Sequence, residues 1–306
     1  MHHRVLPAAC AKGVTVSIVP KNHFQRPVAV IGAGTLGRRI ALMFATRGGE
    51  VRIIDPDGEV GNAAVAFVEK QLPDMAAAVP NGTPGTAEYV PDQAIGVKGA
   101  WLVVEAVPEV LDLKKKVFAQ LDSETDADAI VASNSSSYAS RLFTEDLKTS
   151  DRMLNTHFYM PPQTTALDVM SNGDTSQDIL DFVLETFPQY GLHPFLVRRE
   201  STGFIFNRIW AAIKRESLEV VYEGVSIPRD IDAMFMQNFG TVAGPFRMMD
   251  QVGLDVVLDI EQHYERENPN LPKGPVELLK KYVDAGKLGV KSGEGFYDDY
   301  PKPKQG

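Results

Sequence analysis

Residues 27–37 read PVAVIGAGTLG, an apolar run that meets glycines at positions 32, 34 and 37. The run has the character of a buried strand. TLGRRIALMFATRG then puts Leu36, Ile40, Met43 and Phe44 on one face of a helix that stops at Gly48 and Gly49. A second strand, EVRIID, ends in Asp55, 18 residues past Gly37. A glycine triplet alone is a weak signal, because such triplets recur in loops; the flanking strands, the helix and the distal acid supply its context. Strand, tight turn, helix and parallel strand at this spacing leave few folds open, and the leading one is an open sheet wound with helices on both faces.

The turn has a physical reading. Gly32 permits the sharp turn, Gly34 lets a pyrophosphate approach the backbone, and Gly37 lets the helix pack on the strand. Thr35 and Leu36 complete the turn at the helix N-terminus, where unpaired amides and the helix dipole favour negative charge. Asp55 stands where the adenine ribose hydroxyls would be accepted, and its charge repels a 2′-phosphate. The expected cofactor is therefore NAD rather than NADP. The bland alternative is a glycine turn in an α/β fold that binds nothing.

Further along, residues 59–79 suggest a helix broken near Pro73, and NGTPGT (81–86) a loop. AWLVVEAVPE (100–109) is a buried strand, followed by a helix over LDLKKKVFAQLDSETD and a strand at AIVASN (129–134). MLNTHF and ALDVMS make two more strands, DILDFVLETFPQYG a helix and HPFLV (193–197) a last strand. Alternating strands and helices indicate an α/β, Rossmann-type doubly wound, mostly parallel sheet. From TGFIFNRIWAAIKRESLEVVYEG (202–224) onward only helical periods recur. The expected division is a flexible extension over 1–25, a dinucleotide-binding domain over 26–200 and an all-helical substrate and dimerisation domain over 201–306.

At 306 residues the chain has length for roughly two domains and a sizeable core. Its formal charge of −9 argues against a nucleic-acid or anionic-membrane partner, since phosphate backbones are bound through an excess of Lys and Arg. Cys10 is the only cysteine, which leaves no disulfide framework and no cysteine-based zinc site. No metal site is expected. No apolar run approaches the roughly 18 residues of a membrane span. The first acid is Glu50, after Arg4, Lys12, Lys21 and Arg26; such a start reads as a transit peptide or as a bland extension. The expected location is cytoplasmic, with the mitochondrion as the alternative.

A dinucleotide site points to redox chemistry and names no substrate. Hydride transfer to or from a carbonyl needs a group that exchanges a proton with the oxygen, and histidine titrates in the right range. SNSSS (133–137), His157 and Asp168 fall near strand ends, where open α/β sheets bind ligands. Pro161 and Pro162 reverse the chain between His157 and Asp168. Each residue also has a bland reading. Ser136 could cap a helix, His157 could be a hydrogen-bonded core residue, and Asp168 could pair with any cation. Asn207, placed mid-helix, is unfavourable by propensity, which suggests a packing or site reason.

Their order resembles the L-3-hydroxyacyl-CoA dehydrogenase family from about residue 27 onward. VVEAVPE, SNSSS, HFYMPP, GFIFNR and GVKSGEGFYDD match the family's successive motifs in sequence order. The resemblance implies an NAD-dependent oxidoreductase with His157 as general acid/base and Ser136 touching the substrate oxygen and the nicotinamide. It further implies that Asn207 holds the substrate from the second domain. Glu109 and Lys114 would contact the cofactor ribose and nicotinamide region, and Lys291 would reach the cofactor. A homodimer joined through the helical domains is implied as well.

Three positions depart from the family pattern. The family's glutamate, twelve residues after the histidine, is Val169 here, and Asp168 precedes it. Side chains alternate across a strand, so Asp168 serves as the partner if the MPPQTTA turn is one residue shorter. The asparagine of the family's HFFNP is Met160. The helix that grips CoA in the family, here GNAAVAFVEKQLPDMAAAV, offers Lys70 as its one cation and no hydroxyl. A 3-hydroxyacyl-CoA is the default substrate. The alternatives are a CoA-free 3-hydroxy acid, ketone or imine with the same cofactor, and a non-catalytic NAD-binding protein.

Overall fold

The computed structural model describes residues 18–302, so the expectations for Arg4, Cys10 and Lys12 fall outside the described residues. Two compact units divide between Phe204 and Ile205.

The first unit runs β1 (Val28–Ile31), α1 (Thr35–Phe44), β2 (Glu50–Ile54), α2 (Gly58–Ala78), β3 (Thr86–Val90), α3 (Gln93–Gly96) and β4 (Leu102–Glu105). It continues with α4 (Leu111–Glu124), β5 (Ile130–Ser133), α5 (Arg141–Thr144), β6 (Met153–Met160), β7 (Thr164–Ser171), α6 (Gln177–Thr186) and β8 (His193–Val197). The strands form one sheet in the order β3-β2-β1-β4-β5-β6-β7-β8. Every neighbouring pair is parallel except β6 and β7. Strands β1, β4 and β5 are buried along their whole length, which is why they read as continuous apolar runs. Helices cover both faces. One core gathers Ile40, Phe44, Trp101 and Phe187; the other gathers Val103, Phe118, Leu121 and Phe143.

Three expectations about the first unit need correction. Helix α2 runs unbroken through Pro73. Pro73 lies on the exposed face, where the carbonyl that loses its backbone donor, on Glu69, is open to solvent, while Val68, Leu72 and Ala76 stay buried on the opposite face. Asp57 starts that helix by accepting from the Glu59 and Val60 amides at 2.9 and 3.2 Å. Strand β3 was not expected: it begins at Thr86, within the presumed loop, and forms the sheet edge with no fully buried residue. The described end of the expected flexible extension is packed. Ile18 and Val19 lie against the core, and His23 meets Trp101 and Phe182 with ring centroids 5.4 and 5.1 Å apart.

The second unit is helical: α7 (Phe206–Tyr222), α8 (Pro228–Phe239), α9 (Pro245–Val252), α10 (Leu254–Glu267) and α11 (Gly274–Asp284). Leu218, Phe246, Met249, Leu254 and Leu279 form its core. Asn207 falls in the first turn of α7 rather than mid-helix, so the propensity argument for a special role does not hold at that position.

Candidate functional site

The glycine turn follows β1 at the centre of the sheet. Gly32 has φ +100°, and a Cβ there would sit 2.5 Å from the Ala106 carbonyl oxygen. A Cβ on Gly37 would lie 1.8 Å from the Gly32 carbonyl oxygen, so packing of α1 on the turn excludes any side chain. Gly34 differs: nothing lies within 4 Å of its ideal Cβ. The protein itself does not require glycine there. The open space beside an N-terminus that no side chain caps is what a pyrophosphate would fill. Asp55 accepts from the Ala33 amide at 2.8 Å and from the Asp57 amide at 2.9 Å, which fixes its carboxylate beside the turn. Thr35 and Leu36 form the first turn of α1. Gly32, Gly34, Gly37 and Asp55 are thus brought together, and the arrangement fits a dinucleotide.

A buried polar network occupies the next strand ends. Glu105, at the end of β4 and 0% exposed, accepts from Ser133 Oγ at 2.6 Å, Lys114 Nζ at 2.8 Å and the Val107 amide at 2.8 Å. Lys114 also lies 3.1 Å from Glu109. Glu109 in turn accepts from Ser135 Oγ at 2.6 Å and the Ser137 amide at 2.8 Å. Burial raises the Glu109 carboxyl, but the Ser135 hydrogen bond and the Lys114 charge outweigh it and hold the group below the usual glutamate range. The network pins the SNSSS loop to the VVEAVPE segment. Asn134 ties the same loop to β6 by accepting from the Phe158 amide at 2.9 Å. Ser136, the sequence candidate, is exposed, with its Oγ 3.5 Å from that of Ser137. The serine that anchors the loop is Ser135, which sequence reasoning did not single out.

The third part is the β6–β7 hairpin. His157 stands directly opposite Asp168 in the antiparallel register, and Val169 opposes Thr156. His157 and Asp168 share one face, while Val169 is in the core at 0% exposure. The His157 Nδ1 lies 3.4 Å from Asp168 Oδ2, and the two residues are 6% and 3% exposed. A proton on Nδ1, facing the carboxylate, leaves Nε2 as the basic nitrogen. Two neighbours were not expected. Tyr159 donates to Asp168 Oδ2 at 2.6 Å, and the Phe204 ring stacks on the imidazole, 5.0 Å between centroids and 10° from parallel. Phe204 has φ +53°, so its backbone holds a conformation that non-glycine residues rarely adopt.

Asn207 and Lys291 belong to the second unit. Asn207 is half-buried in α7, and Lys291, in the turn Val290–Ser292, is ion-paired with Asp255. Among the described residues no group of three His, Cys, Asp or Glu side chains could hold a metal.

The chain matches the model of the 3-hydroxyacyl-CoA dehydrogenase NAD-binding domain over residues 27–201 and that of the family's C-terminal domain over 203–299. It belongs to the 3-hydroxyacyl-CoA dehydrogenase family. Its first unit is the family's NAD-binding domain, and the protein is an NAD-dependent oxidoreductase. Among relatives, the 3-hydroxyacyl-CoA dehydrogenase-like protein LAM1 of Cochliobolus heterostrophus is 43% identical over 151 residues, a match spanning 48% of this chain and 31% of that one. The mitochondrial hydroxyacyl-coenzyme A dehydrogenase of Rattus norvegicus is 31% identical, over 88% of this chain and 90% of its own. The 5-formyl-3-hydroxy-2-methylpyridine 4-carboxylate 5-dehydrogenase of Mesorhizobium japonicum is 29% identical, over 89% and 90%. Among solved structures, (S)-3-hydroxybutyryl-CoA dehydrogenase PaaH1 from Ralstonia eutropha superposes with a TM-score of 0.81 at 28% identity, covering 91% of this chain and 100% of that one.

Proposed function

We propose that the protein interconverts the 3-hydroxy and 3-keto groups of an acyl-CoA thioester, with His157 as general acid/base. The observation that carries this reading is the opposition of His157 and Asp168 on a buried hairpin face, in a sheet whose first turn fits NAD. Bound NAD supplies the hydride acceptor for the alcohol and, once reduced, the donor for the ketone. His157 Nε2 takes the hydroxyl proton in oxidation and returns it in reduction, while Asp168 stabilises the imidazolium. Ser136 donates to the substrate oxygen, and Asn207 holds the substrate. Glu109 faces the nicotinamide side of the cofactor, and Lys114, shut in between Glu105 and Glu109, acts by fixing that carboxylate. Gly32, Gly34, Thr35, Leu36 and Gly37 cradle the pyrophosphate, Asp55 binds the ribose, and Lys291 contacts the cofactor. The protein works as a homodimer joined through its helical unit. No helix among the described residues is long and apolar enough to cross a membrane, and the compartment we propose is the cytoplasm, with the mitochondrion as alternative.

A second reading keeps the cofactor and His157 and replaces the thioester with a CoA-free carbonyl acid. Two observations favour it. The groove between α2 and Pro162 presents Lys70 and Asp74 together, so its one cation is offset where CoA phosphates would need positive charge. A relative spanning most of the chain is named for a pyridine carboxylate. Oxidation of NADH, followed by absorbance with acetoacetyl-CoA and with free acetoacetate in parallel, separates the two. Turnover of the thioester alone supports the first reading; turnover of the free acid alone overturns it.

A further inference from the structure

Tyr159 follows His157 by two positions on β6, at the register shift between Phe158 and Met160, and its side chain reaches both His157 and Asp168. Its hydroxyl donates to Asp168 Oδ2 at 2.6 Å, the same oxygen that faces His157 Nδ1 at 3.4 Å. Its ring meets the imidazole edge-on, 4.6 Å between centroids and 67° between planes. The tyrosine bond has the length of a charge-assisted O–H···O⁻ contact, whereas the histidine contact is longer than a charged pair adopts. Of these two contacts, the tyrosine's is the one that sets the carboxylate's direction.

We propose that Tyr159 is a positioning residue whose hydroxyl holds the Asp168 carboxylate toward His157; the inference rests on the acid/base role proposed for that histidine. Aspartate has one methylene fewer than glutamate, and its terminal torsion is broad, so an unheld carboxylate rotates among orientations that miss the ring. The Tyr159 bond narrows that range. The Oδ2 atom has a second lone pair, so the tyrosine bond persists when the imidazolium forms and the Nδ1–H donates. Two departures from the family's pattern then fit each other: the shorter acid at 168, and a hydroxyl on the second aromatic of the segment that reads HFFNP in the family and HFYMP here. If Tyr159 served only as packing, phenylalanine would replace it without loss, because the edge-on ring contact survives.

The test is steady-state kinetics of Tyr159→Phe, Asp168→Glu, the double variant, and Tyr159→Phe on an Asp168→Ala background, with melting temperatures and NADH affinities measured alongside. Tyr159→Phe is expected to lower kcat about tenfold, within the usual coupling of contacting side chains, with KM and NADH affinity unchanged and only a modest fall in Tm from the lost hydrogen bond. Asp168→Glu is expected to restore most of that loss, because the longer acid reaches the ring unaided. On the Asp168→Ala background the phenylalanine should cost nothing more. Wild-type kcat in Tyr159→Phe, or an equal loss on the alanine background, overturns the inference. Failure of the parent reading looks different: His157→Ala would then retain turnover.

Discussion

Lys114 and Lys214 are both buried lysines, at 1% and 6% exposure, yet the two units treat them in opposite ways. Lys114, on α4, has its ammonium against Glu105 at 2.8 Å and Glu109 at 3.1 Å. Lys214 belongs to the buried stripe Ala211, Lys214 and Leu218 of α7, and has no hydrogen bond or ion pair among the described residues. The nearby Glu261 is taken by Arg215, and the Trp210 ring lies 5.9 Å from the Lys214 Nζ. Burial pushes Lys214 down to about 8, with the Glu261 charge opposing and the Arg215 charge adding to the shift. Burial alone therefore says little about what a charge does. A compensated lysine organises the carboxylates around it, whereas an uncompensated one costs stability and titrates near neutrality.

The contrast breaks most sharply at Lys114. Lys114→Met leaves Glu105 buried without its cation and should destabilise the first unit by about 3–5 kcal/mol in denaturant unfolding. A loss below about 1 kcal/mol would show that Ser133 and the Val107 amide suffice. Lys214→Met should act in the opposite direction and stabilise the protein at pH 7 by up to about 3 kcal/mol, since it removes a protonated group from an apolar site. Destabilisation would show that the ammonium has a partner there. The smallest effect lies in the pH dependence. The folded-state value of about 8 is below the ordinary 10.5, so Lys214 costs stability wherever both states are protonated, below about pH 8. Between there and 10.5 the folded chain has released the proton while the unfolded chain keeps it, and the cost fades. The stability gap between Lys214→Met and the wild type should therefore narrow from pH 7 to pH 10. A constant gap would contradict the shifted lysine.

The cofactor turn was legible in the sequence because its requirements are local. Gly32 and Gly37 are glycines for reasons of backbone angle and close approach within one strand–turn–helix, and Asp55 lies at the next strand end. The facing of Asp168 and His157 was legible from strand alternation once the turn was read as one residue short. What stayed hidden depends on contacts distant in sequence or on fine backbone geometry. Which of Ser135, Ser136 and Ser137 turns toward Glu109 is set by loop torsions that no residue pattern records. Phe204 reaches His157 from 47 positions away through a positive φ. Strand β3 carries too little buried apolar surface to announce itself, and Pro73 looked like a helix stop because its exposure is a tertiary fact.

The most direct measurement is NADH oxidation by the wild type and His157→Ala, using whichever of acetoacetyl-CoA or acetoacetate the wild type reduces, with NADH binding followed by fluorescence. The expected result is a fall in kcat of about 10²- to 10⁴-fold with NADH affinity unchanged. Wild-type turnover in the variant would make His157 a core residue held by Asp168 and Phe204, and would contradict the acid/base role.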